Sequence, residues 1–434
     1  MGTIRVIISL VVSHGWNLHQ LDVKNVFLHG FLKEEVYMEQ PLGYATNDPT
    51  KWVCKLQKSL HGLKQTSPSW FDRFSLHIQQ AGFLRNSLGH SLFIYHSCEV
   101  TTWLLIYVDD IVLIENSSCH MSHVKEVLQQ EFKMKDLSEL RYFLGVELDR
   151  KGDTLTLTQH KYTLDILDRT SMTNCKPINT PSVLNTKLNV SNGSDAYPNP
   201  SFYRSIVGML QYLTFTHPDI VYVVNQVSQF MHAPTKGHMD ATKRILCYLK
   251  ATLGDGLIYT RQSTVLHGHN ISTYTDANWA GDPHDKRSVS SYCLFLDFNL
   301  ICWSSRNQRA VARSSTEVDY TAMTAGTTEA SWLRHLLGEL SLPIAQSFRF
   351  CHNQSAIKIA FNPVLHNRTK HIEIDQHFIR QKVAEDEIVS TYISTSEQVA
   401  DLFTKGLTRH HFWELKNKLC VKDTKKGFSE ILGS

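Results

Sequence analysis

Two adjacent carboxylates, Asp109 and Asp110, stand inside the apolar stretch WLLIYVDDIVLI, residues 103–114. The flanking residues are β-branched, aliphatic and aromatic, the composition of buried strands. Successive strand side chains point to opposite faces, so one continuous strand could not keep both charges in water. A tight turn at Val108–Asp109 removes the conflict. Trp103–Tyr107 and Ile111–Ile114 then pair as a hairpin that presents both carboxylates at its tip. Like charges this close raise each other's pKa unless a cation lies between them. Mg²⁺, which takes oxygen ligands, would offset that cost. The plainer alternative is a polar turn that only joins two strands.

The remaining pattern bounds the architecture. A chain of 434 residues exceeds one ordinary core, so two or three domains are expected. The net charge of +3 is too small to attract a polyanion globally, so any nucleic-acid contact must rest on local patches. The nine cysteines show no metal-ligand spacing, which suits reduced thiols inside a cell. The opening run MGTIRVIISLVV is too short to span a bilayer and reads as a core helix, with an N-terminal anchor as the lesser alternative. No signal peptide or transmembrane segment is read in the chain. Neither a glycine-rich dinucleotide turn nor a nucleophile elbow supports a small-molecule oxidoreductase or hydrolase.

Periodicity predicts a helix over 121–132 and an alternating strand over 154–158. Residues 180–202, rich in Pro, Asn and Ser, read as a linker. Helical spacing follows at 206–213, 221–230 and 238–249. Strands return from about residue 271, before a long helix from 314.

Four further stretches carry chemistry. HQLDVKNVFLHG (19–30) sets Asp22 between a short apolar strand and a glycine-containing turn. SLHGLKQTSPSWF (59–71) is a basic strand-to-helix junction, and FLGVEL (143–148) follows FKMKDL (132–137). With TIRVIISL, EEVYMEQPLGY, CKPINTP, YRSIVGML and THPDI, these resemble the Pol polyprotein of copia-type LTR retrotransposons, in its reverse transcriptase and RNase H portion. The resemblance covers nearly the whole chain.

It implies a multidomain α+β and α/β fold. A right-hand polymerase palm and thumb with a ferredoxin-like palm would occupy 1–179, without the N-terminal fingers. A linker and helical connection would occupy 180–265. An RNase H-like mixed sheet with helices would follow at 266–410, and a tail at 411–434. It also implies Asp22 and Asp109 as ligands bridging two Mg²⁺ ions, Asp110 as the supporting carboxylate and the Val23 carbonyl as a further ligand. Two metals activate the primer hydroxyl and neutralise the leaving pyrophosphate. Phe27 matches the aromatic residue set against the ribose 2′-OH, Gly62 would let the template approach, and Lys64 would meet phosphate. FLGVEL matches the primer grip. The implied partners are an RNA template, a DNA primer, dNTP, an RNA–DNA hybrid and other element-encoded proteins, with no membrane. The implied location is cytoplasmic, in a virus-like particle, or nuclear.

A second carboxylate set resembles the RNase H domain of these elements. STYTDANWAGD (272–282) offers Asp276, SSTEVDYTAM (314–323) offers Asp319, and FCHNQSAIKIA (350–360) holds the third place. RTKHIEIDQHFIRQ (368–381) offers Glu373 or Asp375 as the fourth, with His371 as a contact to the hybrid. The sequence departs from the family pattern at several points. GLKQTSPSW stands where members usually read GLKQAPRAW, with Pro68 where an Arg is common. Asp319 replaces a longer Glu, and Glu317, about 200° away on a helix, should not substitute. His352 replaces the Asp of CDNQSA, and imidazole suits Mg²⁺ poorly, leaving Mn²⁺ or Zn²⁺ as the alternative. The expectation is a polymerase weakened by missing fingers and an RNase H with an impaired centre. The competing reading is an inactive nucleic-acid-binding relic.

Overall fold

The computed structural model describes residues 2–41, 43–44, 52–97, 99–184, 188, 195–261, 268–282, 285–361 and 373–424. They form two compact units. One joins helix α1 (Gly2–His14) to the chain from Tyr142 onward, and the other is Gly15–Arg141.

The Gly15–Arg141 unit begins with β1 (Asn17–Val23) and the separate pair β2 (Phe31–Met38) and β3 (Cys54–Lys58). Helix α2 (Thr66–Gln80) leads to β4 (Leu84–Arg85), β5 (Leu92–His96), β6 (Thr101–Tyr107) and β7 (Asp110–Glu115). Helix α3 (Ser118–Glu131) and β8 (Met134–Glu139) complete it, in a sheet ordered β4-β5-β6-β7-β1-β8. Trp70, Phe74 and Ile78 recur every four residues on α2, so one face of that helix is apolar. That face packs with Val124 and Leu128 of α3 on Leu21, Leu104, Ile106, Ile111 and Leu113 of the central strands. The hairpin expected at residues 103–114 is formed, as β6 and β7.

In the other unit, α1 is a core helix, as its apolar run predicts. Its buried Arg5 donates to the Ile301 carbonyl at 3.0 Å and lies 3.7 Å over the Trp303 ring. The strands β9 (Tyr142–Phe143), β10 (Val146–Lys151) and β11 (Thr154–Thr158) precede helix α4 (His160–Arg169). Then come α5 (Pro200–Leu213), α6 (Val221–Ser228), α7 (Lys236–Ala251) and β12 (Asp255–Thr260). Helix α5 starts where Asn199 accepts the Phe202 amide and Pro200 fills the first turn; α7 starts with a Thr235–His238 capping box. The strands β13 (His269–Asn278), β14 (Val289–Leu296) and β15 (Asn299–Asn307) lead to α8 (Ser315–Glu339). The chain continues through β16 (Ile344–Cys351), α9 (Gln354–Phe361), α10 (Glu373–Ala384) and β17 (Val389–Tyr392). A 3-10 turn (Val399–Phe403), α11 (Arg409–Lys418) and β18 (Val421–Asp423) end the described chain.

Two sheets organise this unit. One is mixed, ordered β15-β14-β13-β16-β17, with β13, β16 and β17 parallel and β13, β14 and β15 antiparallel. The other is ordered β18-β12-β11-β10-β9. It crosses the expected divisions at 179, 265 and 410, because β11 pairs with β12 and β12 with β18. The stretch 142–158 thus shares a sheet with residues near 255 and 421. Residues 154–157 of β11 are buried on both faces, since that strand is interior to the sheet rather than half-exposed.

Within the segment expected as a tail, residues 411–424 are structured, through α11 and β18. Lys416 on α11 is fully buried and contacts Asp219 (3.1 Å), Asp255 (2.6 Å) and the Tyr248 hydroxyl (2.6 Å). Burial penalises the Asp219 charge, yet Lys416 and His217 outweigh it and hold that carboxyl below its ordinary range. Among the described residues, no helix is long and apolar enough to cross a membrane.

Candidate metal centres

The first centre grows out of strand register. β1 and β7 run antiparallel with Asp22 opposite Asp110, and β6 and β7 close with Tyr107 opposite Asp110. Val108 and Asp109 are the two residues of the turn. Val108 has φ +58°, an unusual backbone for a β-branched side chain. Its carbonyl is held by the Trp70 indole N–H at 2.9 Å, and the Asp109 carbonyl by the Val23 N–H at 3.1 Å. These bonds fix the tip where Asp109 is exposed. Asp110 accepts the Gln20 amide at 2.7 Å. Burial raises the Asp110 pKa, the Gln20 bond opposes that, and the charges of Asp109 and Asp22 add to the rise. Asp22, Asp109 and Asp110 offer oxygen donors of the kind a divalent cation takes, but their ligand atoms do not all lie within 4.8 Å of one another.

The neighbouring motifs pack nearby. Phe27 is half-buried against the core and meets His61 edge-on at 5.0 Å. Its carbonyl accepts the Ser59 hydroxyl. Gly62 has φ +96° with open space around it, so the glycine serves the turn's backbone and relieves no crowding. Lys64 is exposed on the same turn, just before α2. Close approach falls instead at Gly30, where a Cβ would come within 2.9 Å of the Trp70 nitrogen. FLGVEL lies in the other unit. There it makes a two-residue hairpin with φ positive at both Leu144 and Gly145, and the Tyr212 hydroxyl donates to the Leu144 carbonyl.

The second centre forms at the end of the mixed sheet. β13 and β16 are parallel neighbours, so Asp276 and His352 emerge at the same edge. Helix α8 brings Asp319. Two turns along, Gly326 sits so close to β13 that a Cβ would meet Thr275 at 2.7 Å. That close helix–sheet approach holds Asp319 to the strand. Ser314 caps α8 by accepting the Glu317 amide, and the Glu317 carboxylate accepts the Arg313 amide at 2.9 Å. Glu317 is therefore a capping residue, as its angular position suggests.

Among the described residues, Asp276, Asp319 and His352 are the one group of three metal-capable side chains with ligand atoms within 4.8 Å of one another. His352 Nδ1 lies 3.2 Å from Asp276 Oδ1. Asp319 Oδ2 accepts the Asn353 amide at 2.7 Å, while Asn353 caps α9 through its own carbonyl. Burial pushes the Asp319 pKa up to about 6, with Asp276 adding to the rise and the Asn353 bond opposing it.

Glu373 and Asp375 are not brought into this group. Both lie on the first turn of α10, where acidic side chains suit the helix dipole. Glu373 is exposed, and burial alone raises the Asp375 pKa, with no carboxylate neighbour contributing. His371 lies outside the described residues.

A residue not singled out in the sequence stands closer. Asp401, in the Val399–Phe403 turn, is buried, pairs with Lys405 at 2.8 Å and is electrostatically coupled to Asp276. Burial and the Asp276 charge push its pKa up to about 7. The turn is pinned there: Ser291 donates to the Ala400 carbonyl, Gln398 to that of Thr275, and Thr404 to the Asp276 carboxylate. The available signal was an acid inside the apolar run VADLF with a lysine four residues on.

Comparison with known proteins gives the class first. Residues 1–184 match the family model described as reverse transcriptase (RNA-dependent DNA polymerase). The chain is 39% identical to the Retrovirus-related Pol polyprotein from transposon RE2 of Arabidopsis thaliana, over 96% of this chain. It is 37% identical over 95% of its length to the Pol polyprotein from transposon TNT 1-94 of Nicotiana tabacum. It spans only 28% and 31% of those two polyproteins. An uncharacterized mitochondrial protein of Arabidopsis thaliana is 43% identical over 53% of this chain and 93% of its own length. A solved foamy viral protease-reverse transcriptase in complex with dsDNA overlaps weakly. It is 13% identical, covers 88% of this chain and 68% of that one, and gives a TM-score of 0.21. The chain belongs to the reverse transcriptase family, in the branch carried by the Pol polyproteins of copia-type retrotransposons.

Proposed function

We propose that the Gly15–Arg141 unit carries the polymerase centre of an RNA-directed DNA polymerase. The observation that supports it is the register that sets Asp22 opposite Asp110, with Asp109 at the adjoining tip. Asp22, Asp109 and Asp110 would hold divalent ions, with Mg²⁺ matching the all-oxygen set and the Val23 carbonyl as a further donor. Such ions supply activation of the primer hydroxyl and neutralisation of pyrophosphate. The chain's own part is positioning. Gln20 orients Asp110, Trp70 holds the turn, and Phe27 on its Ser59 and His61 support would lie against the ribose of the incoming dNTP. Lys64 would contact phosphate of the RNA template or DNA primer.

The second unit is read as RNase H-like, acting on an RNA–DNA hybrid, with Asp276, Asp319 and Asp401 as its carboxylates. Its donor set does not fit two Mg²⁺ ions. An imidazole occupies one ligand position, and Lys405 already neutralises Asp401. That observation favours a second reading for this unit alone, a hybrid-binding module without Mg²⁺-dependent cleavage.

Primer extension on an RNA template with Mg²⁺ tests the first proposal. The parent chain extends the primer, and Asp109→Asn slows extension at least ~100-fold, the scale of a misplaced catalytic group. Equal extension by both proteins, or none by the parent, would overturn it.

A further inference from the structure

We propose that the centre formed by Asp276, Asp319 and His352 binds a single borderline transition-metal ion of the Zn²⁺ class, in place of a Mg²⁺ pair. The hydrogen bonds sort the donor atoms. Asp276 Oδ2 accepts the Thr404 hydroxyl, and Asp319 Oδ2 accepts the Asn353 amide. That leaves Asp276 Oδ1, Asp319 Oδ1 and the ring nitrogens of His352, of which Nδ1 is the buried one. Asp319 is 4% exposed, and its Oδ1 has no donor in hydrogen-bonding geometry, although the Ala277 N–H lies near enough to favour the charge. His352 Nδ1 is buried and faces Asp276 Oδ1 at 3.2 Å without hydrogen-bond alignment. This nitrogen and oxygen, close enough to count as an ion pair, also stand at the separation of two ligands on one ion.

The spacing agrees. With metal–ligand bonds of about 2.0–2.2 Å, neighbouring ligands of a tetrahedral zinc ion stand about 3.3–3.5 Å apart. Around an octahedral Mg²⁺ at about 2.0–2.1 Å they stand about 2.9 Å apart. The observed 3.2 Å lies nearer the first. Ligand type agrees too, since imidazole suits Zn²⁺ and carboxylate with water suits Mg²⁺. Charge agrees in sign: three carboxylates, Asp276, Asp319 and Asp401, gather around one lysine, Lys405, a site that favours a cation. Asn353 and Thr404 orient the two carboxylates from behind, as supporting hydrogen bonds do in zinc sites. Three protein ligands leave a fourth position open to water, the arrangement of hydrolytic zinc centres. The binding claim is independent of the proposed polymerase. Only its use on a hybrid rests on the RNase H-like reading.

The test uses the full chain stripped with chelator and then titrated with Co²⁺ as a visible probe and with Zn²⁺ by calorimetry. One equivalent of Co²⁺ should give the intense visible bands of four-coordinate geometry, displaced by Zn²⁺ and not by millimolar Mg²⁺. His352→Ala should abolish those bands and weaken the one-equivalent Zn²⁺ site at least ~10-fold. His352→Asp should lose the bands and gain Mg²⁺ binding. Both variants should keep the parent's far-ultraviolet circular dichroism in chelator, and Asn353→Ala gives a milder check should either fail to fold. Bands that survive His352→Ala, or Mg²⁺ that displaces Co²⁺ from the parent, would overturn the proposal. Absence of both hybrid binding and hybrid cleavage with Zn²⁺ bound would instead count against the RNase H-like reading and leave the metal site standing.

Discussion

The two carboxylate centres solve the same electrostatic problem in opposite ways. At the β6–β7 turn Asp109 is exposed, Asp22 and Asp110 are half-buried, and one neutral amide from Gln20 eases the charge on Asp110. At the edge of the mixed sheet the acids are buried, and the protein supplies its own compensation through Lys405, Asn353, Thr404 and His352. An open centre can vary its metal occupancy at little structural cost, whereas a buried one couples metal binding to the stability of the fold.

That contrast can be broken by neutralising one acid in each. The largest effect belongs to Asp22→Asn, which should lower primer extension at least ~100-fold while leaving the thermal midpoint unchanged. A matching fall in the midpoint would show that the exposed centre is structural after all. Next comes Thr404→Val, which strips a hydrogen bond from buried Asp276. It should destabilise by about 1–3 kcal/mol in urea unfolding, and a neutral result would remove Thr404 from the account.

Smaller, and of known sign, is the effect of Glu115 at the far end of β7. It is buried, its pKa is pushed up to about 7 by desolvation, and Thr102 and the Met121 amide only partly oppose this. A carboxyl whose folded pKa exceeds its unfolded one stabilises below the unfolded value. That contribution is lost as pH rises, here between about 4.5 and 7. Glu115→Gln should therefore flatten the decline in stability over that window, by on the order of 2 kcal/mol at pH 8. An unchanged pH profile would mean that Glu115 is solvated. The smallest effect is that of Asp276→Asn, which relieves repulsion on Asp319 and Asp401 but costs Lys405 and His352 a partner, so stability in chelator should change by less than about 1 kcal/mol in urea unfolding.

What the sequence makes legible follows the range of each interaction. The hairpin could be read because its conflict is local, two charges in twelve residues of apolar chain. Likewise α1 declares itself by its own composition. Asp401 carries the same kind of local signal in VADLF, yet an isolated acid gives no hint of its partner Asp276, which lies far away in the chain. The sheet that crosses residue 179 was illegible for a similar reason. The pairing of β11 with β12 joins residues 154–157 to 257–260, and no periodicity within either strand reveals the other. Glu373 and Asp375 sit on a helix start, where acids have a sufficient reason to occur without any metal.

The buried Lys416 bears on how the chain tolerates damage. Asp219 and Asp255 lie some 160–200 residues before the cation that pairs with both. Without Lys416, Asp219 would keep only His217 and the Tyr248 hydroxyl, and buried Asp255 would lose its cation. Helix α11 thus ties two acids, far apart in the chain, to one cation, and completion of this core waits on its docking.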